Sequence, residues 1–183
     1  MCTNLNTYPH KATLFHILNH CKAFLGENER MTWRHNSVLN FMAKTLKENK
    51  PSHIQVYADI DEYKINGGSI PPNIMVTSSR PDLVIVDSST CPQTVYLFEL
   101  TVCFETAENI EAANQRKFNR YTALTSDIKA NGYDCKNIPF EVGSRGHLTL
   151  SNRSKLTILH KLCSPKLNFS KSCSATAGPQ PEK

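Results

Sequence analysis

The order of apolar segments predicts one α/β domain, and three observations carry that prediction. Two β-rich apolar runs lie close together at 83–86 and 94–104. A long helical stripe follows them, and a further strand-forming run comes at 133–142. The helix- and strand-forming segments therefore run α, β, β, β, α, β, α along a chain of 183 residues, long enough for one core with irregular ends.

Residues 14–25 predict a short helix. Leu14, Ile17, Leu18 and Cys21 fall at helical spacing, with Thr13 as N-cap and Gly26 as stop. A second helix spans 32–47, striped by Val38, Leu39, Met42 and Leu46 and followed by Pro51. Residues 54–60 predict a strand, Asn66-Gly67-Gly68 a turn, and 69–79, with Pro71 and Pro72, a loop or edge element. Leu83-Val84-Ile85-Val86 is a short strand entered from Arg80-Pro81-Asp82, and 94–104 is a longer one. Residues 107–131 predict one long helix ended by Gly132. After the strand at 133–142 and a tight loop at 143–146, Ser151 is placed to cap a last helix ending near Leu162. The chain beyond Ser164 is Ser-, Lys- and Pro-rich and predicts a disordered tail.

Hydrophobic content of 39% and charged content of 20% describe a soluble globular protein. The net charge of +5 tolerates a polyanionic partner without demanding one, because Lys and Arg are spread along the chain. Seven cysteines at irregular spacing, a polar amino end and no long apolar stretch predict reduced thiols and no membrane span. An intracellular protein, nuclear or cytoplasmic, is the resulting expectation.

Chemistry concentrates at two carboxylates. In the run 94–104, Val95, Leu97, Glu99, Thr101 and Cys103 share one face, and Tyr96, Phe98, Leu100, Val102 and Phe104 the other. Both faces are apolar, so the strand is expected to be covered on both sides, where an unpaired Glu99 would be costly. Asp82 stands at the mouth of the neighbouring run. On adjacent strands the pair can meet around a hard divalent cation, although a capping Asp and an ion-paired Glu would leave the same pattern. The stripe of the long helix is Ile110, Ala113, Tyr121, Leu124 and Ile128, interrupted by Lys117. That lysine projects from the packed face, either toward the two carboxylates or snorkelling at the edge.

A family resemblance rests on these residues. Arg80-Pro81-Asp82 followed by Phe98-Glu99-Leu100-Thr101 resembles the PD-(D/E)XK nuclease signature. The stretch 80–146 adds Phe104-Glu105-Thr106, Arg116-Lys117 and Phe140-Glu141-Val142-Gly143. It is similar to the restriction-like endonuclease region downstream of the reverse transcriptase in LINE-type (non-LTR) retroelements. Trp33-Arg34-His35-Asn36-Ser37-Val38-Leu39 resembles the segment before that nuclease, so the likeness covers 13–162. It implies a restriction-endonuclease-like core with a central mixed sheet flanked by helices, and a DNA-nicking activity dependent on magnesium or manganese. Asp82 and Glu99 would bind the metal, the backbone carbonyl of Leu100 would add a ligand, and Lys117 would position water or stabilise the transition state.

The sequence departs from the signature at Thr101, where the family carries a lysine, and it has no acidic residue between Thr32 and Leu46. In some members of the wider group the lysine moves to the following helix, which makes Lys117 the candidate. The related zinc knuckle has the pattern C-x2-C-x7-H-x4-C. His16 and Cys21 fit its second half, but Leu5 and Tyr8 occupy the first two cysteine positions. Cys2, His10 and His20 do not restore the spacing, so zinc is not expected. The implied organisation is a knuckle-like segment at 1–30, a nuclease-like domain at 31–163 and a tail at 164–183, together a retroelement fragment. The rival readings are an inactive nucleic-acid-binding relic and a plain interaction domain.

Several side chains have no single expected role. Arg34, His35, Arg116, Arg120 and Arg145 are phosphate contacts or solvated charges. Tyr121 is a core residue or a support for Lys117, Gln115 lies off the site, and Glu105 and Glu141 belong to a structural network or to the surroundings of the site.

Overall fold

The computed structural model describes residues 13–19 and 30–163. The knuckle positions Cys2, Leu5, Tyr8, His10, His20 and Cys21, the end of the first predicted helix and the tail after 163 lie outside the described residues. Helix α1 is Leu14–Asn19, with the Thr13 hydroxyl accepting from the amide of His16 at 3.2 Å, as an N-cap does. Helix α2 is Arg30–Asn49. Three strands follow, β1 Ile54–Ala58, β2 Leu83–Asp87 and β3 Thr94–Cys103. Then come α3 Ala107–Arg120, α4 Thr122–Ala130, β4 Asp134–Gly143 and α5 Leu150–Cys163.

The four strands form one mixed sheet in the order β1-β2-β3-β4. β1 with β2 and β2 with β3 run antiparallel, while β3 and β4 run parallel. The parallel pair requires a crossover, and α3 with α4 supplies it. The sheet is therefore the centre of an α/β domain flanked by helices, as expected from the order of segments.

Burial on both faces of β3 accounts for its apolar alternation. Tyr96, Phe98 and Leu100 pack with Leu39, Ala43 and Leu46 of α2 and Leu159 and Leu162 of α5. Val95 and Leu97 pack with Tyr121, with Leu124 and Ile128 of α4, and with Ile70 and Ile74 of the 69–79 segment. That segment forms no strand and covers the sheet as a loop. The turn at Asn66-Gly67 places both residues at positive φ (49° and 78°), which Gly accepts without strain and Asn tolerates.

Beyond shifts of one or two residues at element ends, two features differ from the sequence expectation. The single helix of 107–131 is two helices, broken at Tyr121 (φ −109°, ψ 11°). No Pro or Gly marks the break. Tyr121 is buried and its hydroxyl donates to the carbonyl of Arg80 at 3.0 Å, so a tertiary tie coincides with the change of direction. The cap of α5 is Thr149, whose hydroxyl accepts from the amide of Asn152 at 3.2 Å, and not Ser151, which lies inside the helix. Gly132 does follow α4 at positive φ (90°), as a C′ residue should.

Among the described residues Phe98 is the largest side chain with essentially no exposure. Phe98→Ala should lower the unfolding free energy by about 4 kcal/mol, read as a shift in the urea midpoint at unchanged m-value. A shift below about 1 kcal/mol would contradict a packed double-sided core.

Candidate functional site

Asp82 immediately precedes β2, and Glu99 lies on β3 one position beyond Phe98, the partner of Leu83. The two carboxylates thus belong to neighbouring strands at the same end of their pairing. The amide of Asp82 donates to Glu99 Oε1 at 3.0 Å, which fixes one carboxylate against the backbone carrying the other. Glu99 has no exposed surface, whereas Asp82 keeps a small exposed fraction. β2 begins opposite Phe98, so β3 continues past it, and the backbone at Leu100 lies on an edge that β2 does not cover. The Leu100 side chain points into the opposite core.

Helix α3 crosses the Glu99 face and projects Lys117 into it. The Lys117 ammonium donates to Glu99 Oε2 at 2.9 Å and to Asp82 Oδ2 at 3.2 Å. The lysine does not snorkel, and its ammonium bridges both carboxylates. All three side chains expected at the site therefore meet, each brought by a different element.

One member was not anticipated in this role. His35 of α2 places Nε2 3.4 Å from Asp82 Oδ2, and its Nδ1 lies 3.0 Å from Asn36 Oδ1. The signal was available in the sequence, since His35 precedes Leu39 by four residues and extends the apolar stripe by one helical turn. It stands on the helix where the expected acidic residue is missing.

Burial and charge divide the two carboxyl groups. Burial pushes Glu99 up, the Asp82 charge adds to this, and Lys117 only partly offsets them, leaving the group at about 7. Burial also opposes ionisation of Asp82, but the His35 hydrogen bond and the Lys117 and His35 charges outweigh it and hold the carboxyl below its ordinary range. Burial acts to lower His35, yet its bond and charge contact with Asp82 prevail and raise it. The Tyr121 phenol is raised by burial and by the nearby Glu99 charge. Two neighbouring acids with separated titrations are the arrangement expected where one group stays ionised and the other exchanges a proton.

The remaining candidates lie elsewhere. Arg34 donates to the carbonyl of Leu18 at 2.7 Å and ties α1 to α2. Arg145 pairs with Glu105 at 2.8 Å, and its own amide also donates to that carboxylate. Glu141 is buried, accepting from Asn114 and Lys155 at 3.0 Å each, so both glutamates belong to structural networks. Arg120 stacks on Tyr121, Arg116 is exposed, and Gln115 bonds Asn119 at the surface. A cavity of about 540 Å³ runs along the 65–80 segment with Arg80 in its wall, but none of Asp82, Glu99 and Lys117 lines it.

The donor set suits a hard cation in one respect. Asp82 Oδ2 and Glu99 Oε2 converge on a single point, now held by an ammonium. Among the described residues no three His, Cys, Asp or Glu side chains form a ready metal cage. Magnesium needs no such cage, because it keeps water and takes one or two carboxylates together with substrate phosphate. The residues therefore fit magnesium or manganese. No family model, curated protein or solved structure matches the chain.

The raised groups set a pH dependence. A Glu99 proton favours the fold, so its contribution is full below about 4.5 and is lost as pH rises through about 7. His35 acts in the same sense above about 6.5, and Asp82 in the opposite sense below about 3.8. In chelator, stability should fall from pH 4.5 to 8 by on the order of 2 to 3 kcal/mol, measured by urea denaturation. Glu99→Gln should flatten the curve over that window. An equally steep curve in the variant would rule out Glu99 as the titrating group.

Proposed function

We propose that this protein is a magnesium- or manganese-dependent DNA endonuclease of the PD-(D/E)XK restriction-like type, derived from a LINE-type retroelement. The observation that carries the reading is the Lys117 ammonium lying 2.9 Å from Glu99 and 3.2 Å from Asp82. Three residues from three elements supply the acid, acid and lysine that the resemblance requires, despite Thr101 at the usual lysine position. The mixed sheet, with an antiparallel β1-β2-β3 meander joined through helices to a parallel β4, also supports a restriction-endonuclease-like core.

A divalent ion held by Asp82 and Glu99 would polarise the scissile phosphate and lower the pKa of a bound water. Asp82 is the carboxylate kept ionised for that ligation, with His35 fixing its orientation through Oδ2. Glu99 contributes the second oxygen, and the Leu100 carbonyl on the uncovered edge of β3 is available as a third. Lys117 would supply the cation that orients the attacking water and neutralises charge gathering on the phosphoryl oxygens in the transition state. The net charge of +5 suits a DNA partner, whose phosphates dominate affinity. No helix among the described residues is long and apolar enough to cross a membrane, and the described cysteines are unpaired.

A second reading, an inactive nucleic-acid-binding relic, is favoured by Thr101, which brings no charge to the strand. Supercoiled-plasmid nicking separates the two. Wild type should nick with magnesium or manganese and stop in chelator, and Asp82→Ala, Glu99→Gln and Lys117→Met should each lose at least about 100-fold. Equal nicking by all four proteins would sink the assignment of the site. Salt-sensitive DNA binding without cleavage by wild type would select the relic.

A further inference from the structure

Lys117 stands in the gap that a metal would enter. Its ammonium is 2.9 Å from Glu99 Oε2 and 3.2 Å from Asp82 Oδ2, which are the two oxygens that converge. An ammonium and a divalent cation cannot occupy one gap between the same oxygens, because they repel and compete for the same lone pairs. Metal entry therefore requires Lys117 to leave, and a buried ammonium that leaves needs an acceptor elsewhere.

Thr101 offers an acceptor on the same strand face as Glu99. Thr101 Oγ1 is buried and has no hydrogen-bond partner among the described residues. Thr101 shares the strand face of Glu99, about 7 Å farther along β3 by the strand rise. Across the parallel pairing it faces Glu141. Glu141 is already engaged by Lys155 and by Asn114, which precedes Lys117 by three residues on α3. The helix surface that carries Lys117 thus also overlies the Thr101 region. A lysine on its flexible four-carbon stem can swing between such points without moving the helix.

We infer that Lys117 is a two-position lysine, seated between Asp82 and Glu99 until a divalent ion displaces it onto the hydroxyl of Thr101. The inference rests on the metal-dependent reading of the site. It gives the threonine a function: Thr101 is a positioning residue that receives the ammonium and returns it to the strand location beside the metal. The ammonium is then a built-in competitor that keeps the carboxylate pair neutralised until metal arrives.

Manganese titration by isothermal calorimetry, on the full metal-free chain, tests this with a readout independent of cleavage. Lys117→Met should bind manganese at least about tenfold tighter than wild type, since the competitor is gone. Thr101→Val should bind about three- to tenfold weaker, because the displaced ammonium loses its acceptor. In the Lys117→Met background Thr101→Val should have no effect. Lys117→Gln repeats the first comparison should Lys117→Met fail to fold, as judged by its circular dichroism melt. Unchanged or weaker binding on removal of the lysine overturns the inference, as does a Thr101→Val effect of equal size in both backgrounds. Either result leaves the metal site standing. Absence of manganese binding in every protein overturns the inference and the metal-dependent reading together.

Discussion

The ion triad of Asp82, Glu99 and Lys117 is the interaction on which the rest of the arrangement depends. Glu99 sits in the middle of a strand covered on both faces and has no exposed surface. A carboxylate there loses several kcal/mol of hydration unless a cation and hydrogen bonds replace it. Lys117 and the Asp82 amide supply part of that replacement, and the need for it places α3 over this end of the sheet. It also fixes the turn before β2, because the amide that serves Glu99 belongs to the residue bearing the second carboxylate. Tyr121, one turn beyond Lys117, clamps the same turn through the carbonyl of Arg80.

The sheet face beneath α3 carries a second buried carboxylate, and the contrast between the two is informative. Glu141 is satisfied by Asn114 and Lys155, and the neighbouring Asn152 side-chain amide donates to its backbone carbonyl. There one anion meets one cation and one amide. At the other end of the face two acids share one lysine, a histidine bonds one of them, and their titrations are driven in opposite directions. Structural ion pairs have no reason to bring like charges together, since each added acid raises the electrostatic cost. Ligation of a divalent cation gives such a reason, and this difference supports reading the first cluster as chemical and the second as architectural.

Much of the fold was legible in the sequence because one-dimensional periodicity reports burial directly. The alternation of 94–103 gave the two faces of β3, and the stripe from Ala113 to Ile128 gave the packed side of the crossover helices. Lys117 was legible as an inward residue for the same reason, as an interruption in an otherwise apolar stripe. Features that no local pattern encodes were missed. The helix break at Tyr121 has no Pro or Gly behind it and accompanies a bond to a residue 41 positions away. Thr149 and Ser151 are equally good caps by composition, and only the start of α5 separates them.

By itself the sequence determined the segment order, the apolar stripes of the second and the long helix, the two covered faces of the 94–104 strand, and the two acids and one lysine set within apolar surroundings. These are properties of spacing, and spacing survives whatever the tertiary arrangement is. Only the tertiary structure decided that Lys117 bridges both acids, that His35 meets Asp82 from α2, and that the Thr101 hydroxyl oxygen is left buried without a partner among the described residues. Each of those facts depends on the relative placement of separate elements across one sheet end. That placement is set by packing and by the need to neutralise Glu99, and a linear pattern holds no record of it.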